Sequence, residues 1–259
     1  MTPIFPKPNV GAALAAITRQ SRLGPLLHSR RTVDYHQMPR QKLTLFDLDN
    51  TLLTGDSDVL WCDFLIKQGI LDRDEFSARN ADMNARYKAG TVRVREFSEF
   101  YVSTLAGRSV GEWQPLRCQF LDEEIIPRIP QTARDLVRKH QDEDDLVAIT
   151  TATNRFITEL TARFLYVKHL IATEVETVNG TFSGRTEGQV NMREGKVVRL
   201  HAWLAARGAT RSDFEITAYG DSINDLPILL AADLPIVVNP DEQLAQWATA
   251  GGHAVLNLR

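Results

Sequence analysis

Cysteine is scarce. Only Cys62 and Cys118 occur in the 259-residue chain, and they form no CxxC pair. That excludes a disulfide framework and a cysteine-built zinc site, and makes a reducing cytoplasm the expected compartment. Long apolar runs are also lacking. No segment approaches the roughly 18–20 residues that a membrane span requires, so no membrane partner is implied. Nor is charge of one sign in excess, for the formal net charge is −3. A protein that grips nucleic acid by neutralising its phosphates needs a basic balance, so no nucleic-acid partner is implied. The composition left is that of an ordinary globular protein, 43% hydrophobic and 24% charged. The length suffices for one large domain or two modest ones.

The first forty residues stand apart. They carry Lys7, Arg19, Arg22, Arg30, Arg31 and Arg40 against a single acid, Asp34. An Arg-rich, acid-poor leader fits a transit peptide. The plainer reading, and the one expected, is a disordered leader over residues 1–39 or a start codon set too early, since Met38 stands just before the first strand.

The apolar run Lys42–Phe46 predicts a buried strand, as do Leu146–Thr150 and Ile216–Gly220. Pro235–Val238 and Ala254–Leu258 are weaker strand candidates. Helical patterns at Ala133–His140, Phe156–Leu165, Val197–Arg207, Leu226–Ala232 and Glu242–Ala248 lie between or after them. Strands alternating with helices predict an α/β fold with a mainly parallel sheet, Rossmann-like in three layers. Ligands then sit at the carboxyl ends of the strands. The stretch from Ser57 to Glu124 breaks the alternation. It offers capping-box spacings at Asp72/Glu75 and Ser109/Glu112, and glycines at 69, 90 and 107 where helices should stop. This predicts an inserted all-helical cap domain over residues 56–125, with an α/β core at 40–55 and 126–259. Asn179-Gly180 between alternating apolar residues predicts a hairpin tip.

Four clusters carry chemistry. Asp47 and Asp49 stand two apart at the first strand's end. Near one another, such carboxylates repel unless a proton or cation intervenes, and hard oxygen ligands favour Mg2+ or Ca2+. A polar turn leaving a strand gives the same pattern. Asp221 follows another strand, with Asp225 four residues on, and an ordinary N-capped helix would look similar. Four acids converging on one point require a metal. Thr150 to Asn154 offers hydroxyls and free N–H groups at a helix start, a ready anion site. Lys196 begins a helix, where the dipole disfavours a cation; an ammonium reaching into an acidic site explains it, as does simple solvation.

Taken together and in this order, Asp47-Leu48-Asp49-Asn50-Thr51, the threonines, Lys196 and Gly220 to Asp225 resemble the haloacid dehalogenase superfamily of phosphohydrolases, from about Lys42 onward. The helical insert resembles the phosphoserine phosphatase-like subgroup, whose bacterial relatives include some histidinol-phosphate phosphatases. The resemblance implies Asp47 as nucleophile, Asp49 as general acid and base, and Mg2+ held by Asp47, the Asp49 main-chain carbonyl and Asp221, with Asp225 in support. It implies Thr151, rather than the adjacent Thr150, as the phosphate-binding hydroxyl, before Ala152. Lys196 would neutralise phosphate, and Asn224 would contact phosphate or substrate. The partner is then a small-molecule phosphate monoester. Asp49 argues against a dehalogenase; a phosphomutase or phosphotransferase of the same fold, or a non-catalytic metal- or phosphate-binding module, stays open. The subgroup places an acid nine residues after the nucleophile on the substrate's amino group, here Asp56, which could equally cap the first cap helix. Arg93 and Arg95 are candidates for a substrate carboxylate. Trp61, Phe64, Phe76, Phe97, Phe100 and Tyr101 are expected in the cap core.

Overall fold

A computed structural model describes residues 40–259; the expected leader over 1–39 lies outside the described residues. β1 (Gln41–Phe46) is the middle of a seven-stranded sheet ordered β4-β3-β2-β1-β5-β6-β7. β2 (Leu146–Asn154) and β5 (Phe214–Gly220) flank β1, both parallel to it, so that Leu43 faces Leu146 on one side and Ile216 on the other. From β2 the chain steps outward to β3 (His169–Val178). It returns past β1 through β5 to β6 (Leu234–Val238) and β7 (Ala254–Leu256). Only β4 (Thr181–Glu187) runs antiparallel, in a hairpin with β3. Its tip is Asn179-Gly180, both with positive φ, at 53° and 79°, as two-residue hairpin turns require.

β1 reads as a continuous apolar run because both of its faces are covered. Leu43 and Leu45 pack with Leu200 and Leu204 of α7 (Glu194–Ala205) and with α8 (Leu226–Ala231) and α9 (Glu242–Gly251). Phe46 joins the opposite cluster, with Val137 of α5 (Gln131–Asp142) and Phe156 of α6 (Arg155–Phe164).

Between β1 and α5 the named elements of the described chain are all helical: α1 (Ser57–Lys67), α2 (Arg73–Lys88), α3 (Val94–Val102) with a 3-10 turn after it, and α4 (Val110–Phe120), then a π turn and a 3-10 turn to Arg128. Asp72 accepts from the Glu75 N–H, and Ser109 and Glu112 form a reciprocal capping box. Trp61 and Phe64 pack with Phe120 in the cluster shared with the sheet layer, whereas Phe76, Phe100 and Tyr101 form a separate cluster in this helical cap region. The hairpin reaches the region as well: the Gly107 N–H donates to the Phe182 carbonyl at 3.0 Å, and the Phe182 N–H to the Arg108 carbonyl at 3.0 Å. No helix among the described residues is long and apolar enough to cross a membrane.

β2 departs from expectation. It runs four residues past Thr150, so Thr151 to Asn154 are its last residues rather than the start of the helix. Pairing with β3 continues through a register shift, with Asn154 opposite Thr173. Asn154 both ends the strand and caps α6, accepting from the Ile157 N–H at 3.1 Å.

Candidate active site

The order of the strands reverses at β1, and the carboxyl ends of β1, β2 and β5 open into a cavity of about 230 Å³, where open α/β sheets place their ligands. Asp47 leaves β1 with its N–H donating to the Tyr219 carbonyl of β5 at 2.9 Å. Its Oδ1 accepts from Lys196 Nζ at 2.6 Å, and the same ammonium donates to Asp225 Oδ1 at 2.5 Å. All three residues are buried. Asp225 closes a 3-10 turn, and its Oδ2 accepts from the N–H groups of Asp221 and Ser222. Gly220 is required here, since a Cβ on it would lie 2.7 Å from the Asp225 Cβ. Gly195 is required for the same reason: a Cβ there would stand 2.1 Å from the Val190 carbonyl oxygen and push away the turn that delivers Lys196.

Asp47, Asp221 and Asp225 can each aim a carboxylate oxygen at a common point. Burial and the neighbouring carboxylates push Asp47 up to about 8 and Asp221 up to about 9. Burial alone would lower the Lys196 ammonium, but Asp225 and Asp47 hold it well above its ordinary value. Three carboxyl groups around one ammonium can all ionise only if further positive charge is supplied. An all-oxygen donor set of this kind fits a hard divalent cation.

The Asp49 side chain does not join that cluster. Its Oδ1 accepts from the N–H and hydroxyl of Ser57 at the start of α1, and its Oδ2 from Thr153 Oγ1 at 2.8 Å and Thr151 Oγ1 at 3.3 Å. Thr150 faces elsewhere, its Oγ1 accepting from Asn191 Nδ2 at 3.0 Å. Ala152 and Thr153 line the cavity. Asp56 does two things at once: it caps α1 through its Oδ1 and lines the cavity. It is exposed to water there, and the protein packed around it together with Asp49 raises its carboxyl to about 6. Asn224 lines the cavity, its Oδ1 accepting from Tyr87 Oη at 3.2 Å and Arg193 Nε at 2.9 Å.

Arg93 and Arg95 are not in the cavity. Arg93 is exposed at the start of α3, and Arg95 donates to Thr186 and to the Gly188 carbonyl at the foot of β4. Phe97 and Tyr101 line the cavity, so they are not solely packing groups of the cap region. Sequence reasoning did not single out Asp58, Tyr87, Thr153 or Met192, which also line it. Asp58 is raised well above the carboxylate range by burial and by Asp56 and Asp49, and Thr153 Oγ1 connects it to Asp49. A second acid eleven residues after Asp47, in the first turn of a helix, was the one signal that could have found it.

Residues 44–230 match the model of the haloacid dehalogenase-like hydrolases. The chain belongs to that family. Within it, the helical cap region and the relatives place it in the phosphoserine phosphatase-like group of phosphatases. It is 37% identical over 221 residues to a histidinol-phosphatase of Neisseria meningitidis serogroup C (strain 8013), covering 85% of this chain and 100% of that protein. A solved protein of unknown function from Bordetella pertussis Tohama I superposes with a TM-score of 0.82 at 42% identity, over 85% of this chain and 100% of that one. A substrate-bound phosphoserine phosphatase shares the fold at 18% identity and a TM-score of 0.58, over 81% of this chain and 91% of that chain.

Proposed function

We propose that the chain is a Mg2+-dependent phosphomonoester hydrolase that works through an aspartyl-phosphate on Asp47 and favours a small substrate carrying a cationic group. The observation that carries the reading is the buried Lys196 ammonium bridging Asp47 and Asp225 beside Asp221 at the cavity. Asp47, Asp221, Asp225 and the Asp49 main-chain carbonyl would hold the ion, which when bound offsets the repulsion between Asp47 and a phosphate dianion. Lys196 supplies positive charge on the same side. A free Asp47 carboxylate oxygen attacks phosphorus while the bond to the ester oxygen breaks, and Asp49 gives that oxygen a proton. Asp49 then takes a proton from water, which attacks the acyl-phosphate and frees Asp47. Thr151 and Asn224 would contact the transferred group.

The substrate class rests on the rest of the cavity wall. Asp56 and Asp58 place two acids beside aromatic Phe97 and Tyr101, with neither Arg93 nor Arg95 among them. Such a wall suits an ammonium or imidazole and rejects a carboxylate. Histidinol phosphate has the cation without the carboxylate, whereas phosphoserine has both. The kcat/KM for histidinol phosphate should therefore exceed that for phosphoserine, and both should exceed that for glucose 6-phosphate. Asp56→Ala should lower the first value about tenfold while sparing the last. EDTA should abolish all three and Mg2+ restore them. Fastest hydrolysis of the sugar phosphate, unchanged by Asp56→Ala, would reject the substrate class and leave the phosphatase standing.

We also propose the division into a core of residues 40–55 and 126–259 and a cap of 56–125 that moves over the site. The crossings between them are joined, the Thr54 N–H donating to the Arg128 carbonyl at 2.9 Å, so both should respond together. Limited proteolysis at residues 54–57 and 125–130 should slow when orthovanadate fills the site with Mg2+ present. Equal cleavage with and without it would count against the movement.

A further inference from the structure

Asn224 sits between Asp221 and Asp225 in the 3-10 turn after β5, with its side chain in the cavity wall. Two donors from different parts of the chain reach its amide. Tyr87, near the end of α2 in the cap region, brings its hydroxyl to 3.2 Å of Oδ1, and Arg193 brings Nε to 2.9 Å. A guanidinium only donates, so the amide atom facing Arg193 has to be the oxygen. That fixes which way the side chain is turned, and it leaves Nδ2 with no partner among the described residues. Arg193 is itself held, its guanidinium carbon 5.0 Å from the centre of the Tyr87 ring. Its backbone has φ 52° and ψ −126°, three residues before Lys196. This is a region a side chain enters at a cost and which clusters where geometry serves function.

We propose that Tyr87 and Arg193 are positioning residues that lock the Asn224 amide with its NH2 toward the cavity, where it donates to an anionic oxygen of the substrate's phosphate. The inference rests on the phosphatase reading above. It deepens that reading by making anion recognition depend on a residue of the helical cap region: Asn224 has its donor aimed when Tyr87 is in place. Without the two donors the amide is free to turn, and half of its orientations present an oxygen to the phosphate.

The test is the affinity for inorganic phosphate by calorimetric titration with Mg2+ present, alongside turnover of the best monoester. Tyr87→Phe keeps the ring under Arg193 and removes only the hydroxyl; it should weaken phosphate binding roughly 2- to 10-fold, the worth of about one hydrogen bond. Arg193→Gly removes the guanidinium but suits the backbone better than arginine does. It should weaken phosphate comparably while leaving the melting temperature unchanged or higher, a pattern that loss of a purely structural contact would not give. Asn224→Ala should weaken phosphate at least as much, and adding Tyr87→Phe to it should change nothing more. Additive losses in that double variant would show that Tyr87 acts by another route, and unchanged affinity in both single variants would overturn the inference. Wild-type protein that neither binds phosphate nor turns over any monoester would instead reject the phosphatase reading itself.

Discussion

Asp47→Asn is expected to lower phosphatase turnover by about 10⁴-fold or more while leaving the protein folded. The amide matches the carboxylate in shape and can still accept from Lys196, which stands 2.6 Å from Asp47 Oδ1. What it lacks is the anionic oxygen that would attack phosphorus. Stability should respond differently from activity. Asp47 and Asp225 are buried around a single ammonium, with half-buried Asp221 beside them, so replacing one carboxylate by an amide relieves repulsion in the cluster. In EDTA, the Asp47→Asn protein should melt no lower than wild type. With Mg2+ added, wild type should gain more than the variant, because the variant lacks one ligand. Activity near wild type in Asp47→Asn would refute the nucleophile assignment. Lost activity accompanied by a large drop in melting temperature would show only that the fold had failed.

The parts of this arrangement that were legible in the sequence are those fixed locally. Acids at the ends of two apolar runs are brought together by parallel pairing, because β1 and β5 are neighbours and both end at the same edge. Lys196 was legible because a cation in the first turn of a helix opposes the dipole and needs a reason to be there. Its two carboxylate partners lie 149 and 29 residues away, and no pattern near Lys196 announces either one. Residues whose surroundings are set by packing between distant segments were not legible. Arg95 looked available for a substrate carboxylate, yet its partners come from the foot of β4, about ninety residues on. Thr153 reads as one hydroxyl in a helix-start motif, and only continued pairing with β3 keeps the strand going far enough to turn it onto Asp49. Asp56 reads in the sequence as either a cap or a cavity residue, and geometry makes it both, since helix α1 begins at the rim of the cavity.

Lys196→Met should cost more stability than any other single change at this site. Methionine fills much the same space, so the effect isolates charge rather than volume. Lys196 is 2% exposed and donates to Asp47 at 2.6 Å and to Asp225 at 2.5 Å. Without it, two buried carboxylates face each other and Asp221 with no counter-charge. Removing one partner of a buried ion pair typically costs about 3–5 kcal/mol. For a chain of this size, that lowers the melting temperature by roughly 10 °C in EDTA. Two rescues separate charge from damage to the fold. Asp225→Asn on top of Lys196→Met removes one of the stranded acids and should recover part of the loss. Mg2+ should stabilise Lys196→Met by more degrees than it stabilises wild type, because the cation then supplies charge the lysine no longer does. Neither rescue should restore turnover, since the ammonium that would face the phosphate is gone. A Lys196→Met protein that melts with wild type in EDTA would mean that the acids hold protons and need no counter-charge.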